Sequence, residues 1–512
     1  MTSSSARLTP LLLSILPPLL ILVGCGGSSA SRTSQSAKSV VGYFRKTNGA
    51  AAKTSGNTTV NMSYPRIDPT ATLLADGRVL VAGGTNTPLD NPNFTEYNSA
   101  ELFDPSTELF SLVSSTMSVA RSSQCAVMLP DKRILMFAGT NFFGPQNIPD
   151  FSLVDIFDPA TNSFSSQHVA GYQLLPNGST GNDQPHCFLL PGKRIFIFGG
   201  AIWSQTALTQ MAAPSVLDLT TWTVRPVTLV GTDPLLFERY YESATQAFDG
   251  RVFVVGGMTA HYLNTMTHQD SADVLVFDPA RETMQIIGQM LTARSEAGIL
   301  PMDDGSIEVY GGAKENPDGI TAQRLTSVER ISSTGSATNI GDLAEIKLYY
   351  TSVMLQNGLS LHVGGAGADG LTTKSELVFD EIAHSSSITG DMIEERSGYG
   401  ISMLGTGRVL IAGGENCCAQ ASDTAEIYEP DAEFYVTIPT PVLALSESVQ
   451  LTPQPNLNVT WSAKVGTVNA SGLYTAPDLA TWQAKGTPPF DEVTATASDG
   501  THVTARIPLL AQ

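Results

Sequence analysis

The chain runs to 512 residues, 42% hydrophobic and 15% charged, which allows a sizeable core and more than one domain. It carries 28 Lys+Arg against 48 Asp+Glu, a net charge of −20. That acidity favours solubility and argues against nucleic acid and anionic lipid headgroups as partners.

Residues 1–24 read as an export signal. Arg7 supplies the positive start, and residues 11–23 form an apolar run too short to cross a bilayer as a helix. The run ends in Leu22-Val23-Gly24-Cys25, which resembles the bacterial lipobox. The resemblance implies that Cys25 is the first mature residue and carries acyl chains, which would hold the protein at the cell envelope. Gly26, in the place where Asp would retain a lipoprotein at the inner membrane, points to the outer membrane or cell surface. The alternative is an ordinary cleaved signal with an incidental Cys. Residues 25–62 are rich in Ser, Gly, Ala and Thr, as in a flexible tether.

A repeated unit then occupies residues 63–438. An apolar run, a small turn, a second apolar run and a glycine pair recur at residues 70–84, 126–139, 187–200, 243–257, 298–312, 351–365 and 400–414. The last glycines lie 55, 61, 57, 55, 53 and 49 residues apart. Asp76-Gly77, Asp249-Gly250, Asp304-Gly305 and Asn357-Gly358 mark hairpin turns, because these residues tolerate positive φ. A third strand follows, as in Ala100-Glu101-Leu102-Phe103-Asp104-Pro105. A fourth carries Phe110, Phe164, Trp222, Met284 or Phe434. Four strands in each of seven units predict an all-β fold, a seven-bladed β-propeller. The repeats resemble the kelch family, including the branch related to the galactose oxidase propeller. How the ring closes is open: residues 40–45 either add an outer strand to the last blade or belong to the tether.

The periodicity stops at Ile438. Residues 439–512 contain short alternating strands between Gly, Pro and Asn turns, which predicts a small Ig-like β-sandwich with Trp461 as its core aromatic. A spacer role suits such a module better than an adhesive one.

Eighteen residues before the last glycine of each unit stands Arg66, Arg121, Arg239, Arg294, Lys347 or Arg396; the third unit breaks the pattern near Asp183. These residues open the innermost strands, on the same mouth as the long loops after each glycine pair. Converging there, they would suit carboxylates or acidic sugars. The other reading is structural, with each Arg pairing carbonyls or acids within the repeat. Just beyond, the side chains vary. His186, Tyr241, Tyr350 and Tyr399 are candidate ligand contacts, and Glu242, Glu296 and Tyr349 are candidate catalytic groups.

The oxidase resemblance implies a copper site made by a Tyr joined to a Cys, a Tyr-His pair and a late His. Cys125 and Tyr349 fall at two of these places. Pro185 stands where the joined Tyr belongs, Tyr350 replaces the His of the pair, and no His follows Gly407 within the propeller. The donor set is therefore incomplete, and no metal or other cofactor is expected. Cys125 and Cys187 are expected either as packed thiols or as a bridge. Cys417-Cys418 is a candidate vicinal disulfide, with free thiols as the alternative. The leading expectation is a monomeric, non-catalytic surface lipoprotein whose mouth binds a carbohydrate or protein. A carbohydrate-active enzyme and an assembly scaffold are the rivals.

Overall fold

The computed structural model describes residues 42–47, 58–88, 94–140, 152–170, 179–204, 208–261, 269–315, 322–367, 372, 376–416, 420–432 and 434–510. Cys25 and the Cys417-Cys418 pair lie outside them, as do the export signal and much of the proposed tether. No helix among the described residues is long and apolar enough to cross a membrane.

Among the described residues seven sheets follow the seven repeat units one for one, antiparallel throughout except that Thr228–Val230 joins the fourth in parallel with Thr283–Gln289. Blade 1 runs outward through Thr70–Leu73, Val79–Ala82, Ala100–Asp104 and Leu109–Leu112. The inner strands of blades 2 to 7 are Cys125–Met128, His186–Leu190, Ser243–Gln246, Gly298–Pro301, Thr351–Met354 and Ser397–Met403. Second strands such as Val79–Ala82, Ile134–Phe137 and Val252–Val255 are buried at every position. They read as unbroken apolar runs because neighbouring blades cover both faces. The hairpin turns form as the sequence predicts. Gly77, Gly250, Gly305 and Gly358 all have positive φ, and Asp76, Asp249, Asp304 and Asn357 accept a backbone N–H two residues on.

The N-terminal strand closes the ring. Gly42–Lys46 pairs antiparallel with Ala425–Pro430 as the outermost strand of blade 7. Residues 42–45 thus take the outer-strand alternative, and that place is not Phe434's. Expected in the fourth strand of blade 7, Phe434 packs instead in the C-terminal core with Val436 and Ile438. Tyr435–Thr437 pairs there with Thr452–Gln454, so the last propeller strand ends ahead of Phe434.

The C-terminal unit places a sheet of Leu443–Ala444, His502–Leu510, Phe490–Ala497 and Val459–Ala463 and a smaller one of Ser448–Gln450, Leu473–Thr475 and Thr467–Val468 on one core. Its buried indole is Trp482, on the helix Leu479–Ala484; Trp461 is only partly buried against the core. Trp482 Nε1 donates to the Pro488 carbonyl at 2.8 Å, which lets the ring sit inside. This unit sits across the hairpin-turn end of the propeller. Lys132 pairs with Glu447 at 2.7 Å, Phe248 meets Phe490 edge-on, Gln356 Nε2 donates to the Val436 carbonyl, and Ile438 N–H donates to the Gly405 carbonyl. Among the described residues, the opposite mouth is the end that this unit leaves uncovered.

Candidate functional site

The basic residues are fully withdrawn from that mouth. Arg66, Arg121, Arg239, Arg294, Lys347 and Arg396 are all at most 1% exposed. Each donates to the carbonyl seventeen residues on, at the glycine pair of its own blade: Gly83, Ala138, Gly256, Gly311, Gly364 and Gly413, at 2.6–3.0 Å. Each also meets a carboxylate beside or on the third strand. Glu101, Asp155, Asp273, Glu329, Glu376 and Glu426 serve in turn. A converging ring of free guanidinium groups is therefore not what the fold builds. The cations are consumed inside the blades, where unpaired carbonyls and acids would otherwise be costly.

The glycine pairs join one blade to the next. The second glycine donates its N–H to the backbone carbonyl of the following blade's basic residue: Gly84 to Arg121, Gly257 to Arg294, Gly365 to Arg396 and Gly414 to Arg66. Both glycines of these pairs hold positive φ, and a Cβ on Gly256 or Gly365 would strike backbone oxygen. In blade 2 the first place is taken by Ala138, itself at φ 56°.

Two residues past each basic position the backbone turns left-handed in every blade. Asp68, Ser123, Gln184, Tyr241, Glu296, Tyr349 and Gly398 have φ between 49° and 61°. Six of the seven carry side chains in a conformation that is uncommon outside glycine and persists only when surroundings enforce it. Backbone hydrogen bonds between blades supply that enforcement. Asp68 N–H donates to the Gly398 carbonyl at 2.7 Å, Ser123 to Asp68 at 3.2 Å, and Glu296 to Tyr241 at 3.0 Å. Five of these residues, Asp68, Ser123, Gln184, Tyr349 and Gly398, line a depression of about 250 Å³ together with Pro69, Thr70, Gln124, Thr351 and Tyr399. Only Tyr241, Glu296 and Tyr349 of this ring were among the sequence candidates. The regular offset from the basic residue was the available signal for the others.

The next position along divides the remaining candidates. Gln124 Nε2 donates to the Ala82 carbonyl at 3.0 Å, Tyr350 to Tyr310 at 2.6 Å, and Tyr399 to Val363. Each reaches back to the residue before the preceding blade's glycine pair. The Tyr350 hydroxyl is thus buried in a seam rather than offered to a ligand; Tyr399 keeps an edge on the depression. Glu242 occupies the same place in blade 4, buried against Gly199, where a Cβ would collide with its Oε1. Burial pushes its carboxyl up to about 8. It is a seam residue and not a mouth group. His186 pairs with Phe198 in the inner strand, the register of Thr70 and Ser243, one place past that of Gln124, Glu242, Tyr350 and Tyr399. Its Nε2 lies 3.3 Å from the Glu242 carbonyl, and burial lowers its pKa.

One reactive pair does stand at the mouth. Tyr349, 39% exposed, stands beside Glu296, and each side chain shifts the ionisation of the other. Burial raises Glu296 to about 8, and Asp270 and Glu315 add to the rise while Tyr349 and Arg324 oppose it. A carboxyl in this range exchanges protons readily near neutral pH.

No family model matches the chain, and no curated protein matches it. Among solved structures it is similar to a fungal alcohol oxidase "with catalytic diversity among the AA5 family, in complex with copper". The TM-score is 0.61 at 14% identity, over 92% of this chain and 100% of that one. The chain has a galactose-oxidase-like propeller fold. At this identity the likeness concerns the fold alone. The copper donor set does not assemble on it. Cys125 is bonded to Cys187, with Cα atoms 6.0 Å apart, and so is not free to join a Tyr. Cys125 Sγ lies 3.5 Å from the carbonyl of Pro185, where the joined Tyr would be. Tyr350 is turned into its seam. Among the described residues no three His, Cys, Asp or Glu side chains gather as a metal site. The residues present do not fit copper, and no chemistry through it follows.

Proposed function

We propose that this is an exported, kelch-type propeller protein, held at the cell envelope through Cys25, whose open mouth binds a carbohydrate. The observation that carries the reading is the left-handed ring. It presents a rigid floor of hydroxyl, amide, carboxyl and phenol groups at the accessible mouth, while the Ig-like unit covers the other end and acts as a spacer. Small polar groups beside tyrosine faces suit the alternating hydroxyl and C–H surfaces of a sugar. The buried basic residues remove the earlier reason to favour acidic sugars. The Cys125–Cys187 bond supports an oxidising compartment and therefore export.

Tyr349→Ala and Asp68→Ala test the reading on a glycan array and by calorimetry with whichever glycan scores. Each is expected to weaken binding roughly 10–100-fold while the melting temperature stays unchanged, each tenfold being about 1.4 kcal/mol. Undiminished binding in both variants would place the ligand elsewhere. Arg239→Ala is not a usable mouth variant, because its side chain is buried and holds Gly256.

A second reading, a carbohydrate-active enzyme, is favoured by the Tyr349–Glu296 pair. On it Glu296, protonated below about pH 8, delivers a proton at the bound sugar. Mass analysis of oligosaccharides incubated with the protein separates the two readings. Turnover that is lost in Glu296→Gln and declines above pH 8 supports the enzyme; unchanged oligosaccharides leave a binding module.

A further inference from the structure

Blade 1 carries a feature that the repeat does not require. Tyr64 is 40% exposed, and its ring centroid lies 5.3 Å from that of Tyr97 at a tilt of 40°. The residues two places before the other basic positions are Val119, Phe237, Thr292, Glu345 and Glu394, of which only Phe237 is aromatic, and it is buried. An exposed aromatic at this place thus serves no step common to the blades.

The pair is held rigidly. Beneath it the Arg66 guanidinium lies 5.8 Å from the Tyr64 centroid and 5.2 Å from that of Tyr97. Arg66 is itself pinned to Gly83, Ser99 and Glu101. The N–H of Ser63 donates to Glu101 at 2.7 Å. Tyr97 N–H donates to the Gly84 carbonyl at 2.8 Å, and its own carbonyl accepts from Arg121. The Arg66 side of the two rings is therefore taken up by the blade, while Tyr64 stays exposed and Tyr97 half-buried. Their position is on the ligand side: Tyr97 belongs to the loop after the blade 1 glycine pair, and Tyr64 precedes Asp68 of the depression by four residues. That length of chain spans at most about 14 Å.

We propose that Tyr64 and Tyr97 form a stacking subsite for an outer sugar ring. The mouth then takes an extended neutral glycan lying across the blade 1 rim, not a single sugar. The proposal rests on the carbohydrate reading above. Two rings fixed in place before binding give stacking area with little ordering cost.

Calorimetry with glucose, xylose and N-acetylglucosamine and with their β-1,4-linked hexasaccharides tests it. For at least one of these sugars the wild type is expected to bind the hexasaccharide at least tenfold more tightly than the monosaccharide. Tyr64→Ala/Tyr97→Ala should erase that advantage and leave the monosaccharide affinity unchanged. Tyr64→Phe/Tyr97→Phe, which keeps both rings over Arg66, should retain it. Tyr349→Ala should weaken both ligands. A length advantage that survives in the double Ala variant, or no advantage in the wild type, overturns the subsite and leaves the carbohydrate reading standing. Binding of no sugar in the set by a folded wild type overturns both.

Discussion

Arg294→Ala is expected to destabilise the propeller by about 3–5 kcal/mol, the cost of leaving one partner of a buried ion pair alone. Glu329 would stay buried with Arg294 gone, still accepting from Leu291 and Thr292 N–H at 2.7 and 3.1 Å. The Gly311 and Ser327 carbonyls would each lose a donor. Arg294→Lys should cost less, because Lys347 does the same work in blade 6 with one carbonyl and one carboxylate, at 3.0 and 2.8 Å. Arg294→Met/Glu329→Leu should recover part of the loss. It removes the orphaned charge but leaves the Gly311 carbonyl without its Arg294 donor, while the Ser327 carbonyl keeps the Gly311 N–H. Chemical unfolding of the three variants checks this order. A loss under about 1 kcal/mol in Arg294→Ala would show that the cation is not an internal anchor, and would reopen its role as a ligand contact.

The propeller is also expected to be more stable at pH 5 than at pH 8–9, because at least two buried carboxyls hold protons in the fold. Glu242 stands where Gln124, Tyr350 and Tyr399 donate to a carbonyl of the preceding blade. Its Oε1 has no hydrogen-bond partner in the seam against Gly199, while Arg239 and His186 are the charged and titratable groups that face it, His186 Nε2 at 3.9 Å. A carboxylate cannot donate there; a carboxylic acid can. The second case is Glu381. The Tyr310 hydroxyl lies 2.9 Å from Glu308 and 2.8 Å from Glu381, and it has one hydrogen for two carboxyls. One carboxyl must therefore carry a proton. Arg330 pairs with Glu308 at 3.0 Å, so the proton belongs on Glu381, which burial and Glu308 raise to about 9. The sign follows from linkage. A carboxyl near 4.5 in the unfolded chain and raised to about 8 or 9 in the fold keeps its proton only in the native state. Stability is full below pH 4.5 and is lost as pH rises through 8 and 9. Glu242→Gln, an amide like that of Gln124, should raise stability at pH 8 by about 1–3 kcal/mol and change little at pH 5. Melting curves of the wild type, Glu242→Gln and Glu381→Gln at both pH values decide the matter. Equal destabilisation by Glu242→Gln at pH 5 and pH 8 would show that the native carboxyl is ionised.

Much of this molecule was legible in the linear chain. The repeat period, the Asp-Gly turns and the alternation of strands depend on local preferences, and the seven units meet seven sheets in the fold. The basic residue and the glycine pair were also visible, since both recur at one spacing. Their partnership was not, because a hydrogen bond between residues seventeen apart depends on how strands one and two face each other. Three outcomes rested wholly on tertiary packing. Gly42–Lys46 took the outer place in the last blade where Phe434 was expected, and Phe434 went to the C-terminal core, because ring closure joins the two ends of the propeller. Glu242 and Glu296 are carboxyls of neighbouring blades, three and two places past Arg239 and Arg294. Packing sends the first into a seam and sets the second beside Tyr349 at the mouth. And the ring of left-handed residues has no common residue type to announce it. Asp68, Ser123, Gln184, Tyr241, Glu296, Tyr349 and Gly398 share only a backbone conformation. At Asp68, Ser123 and Glu296 it is held by N–H bonds to the neighbouring blade, which exist only once the blades have packed.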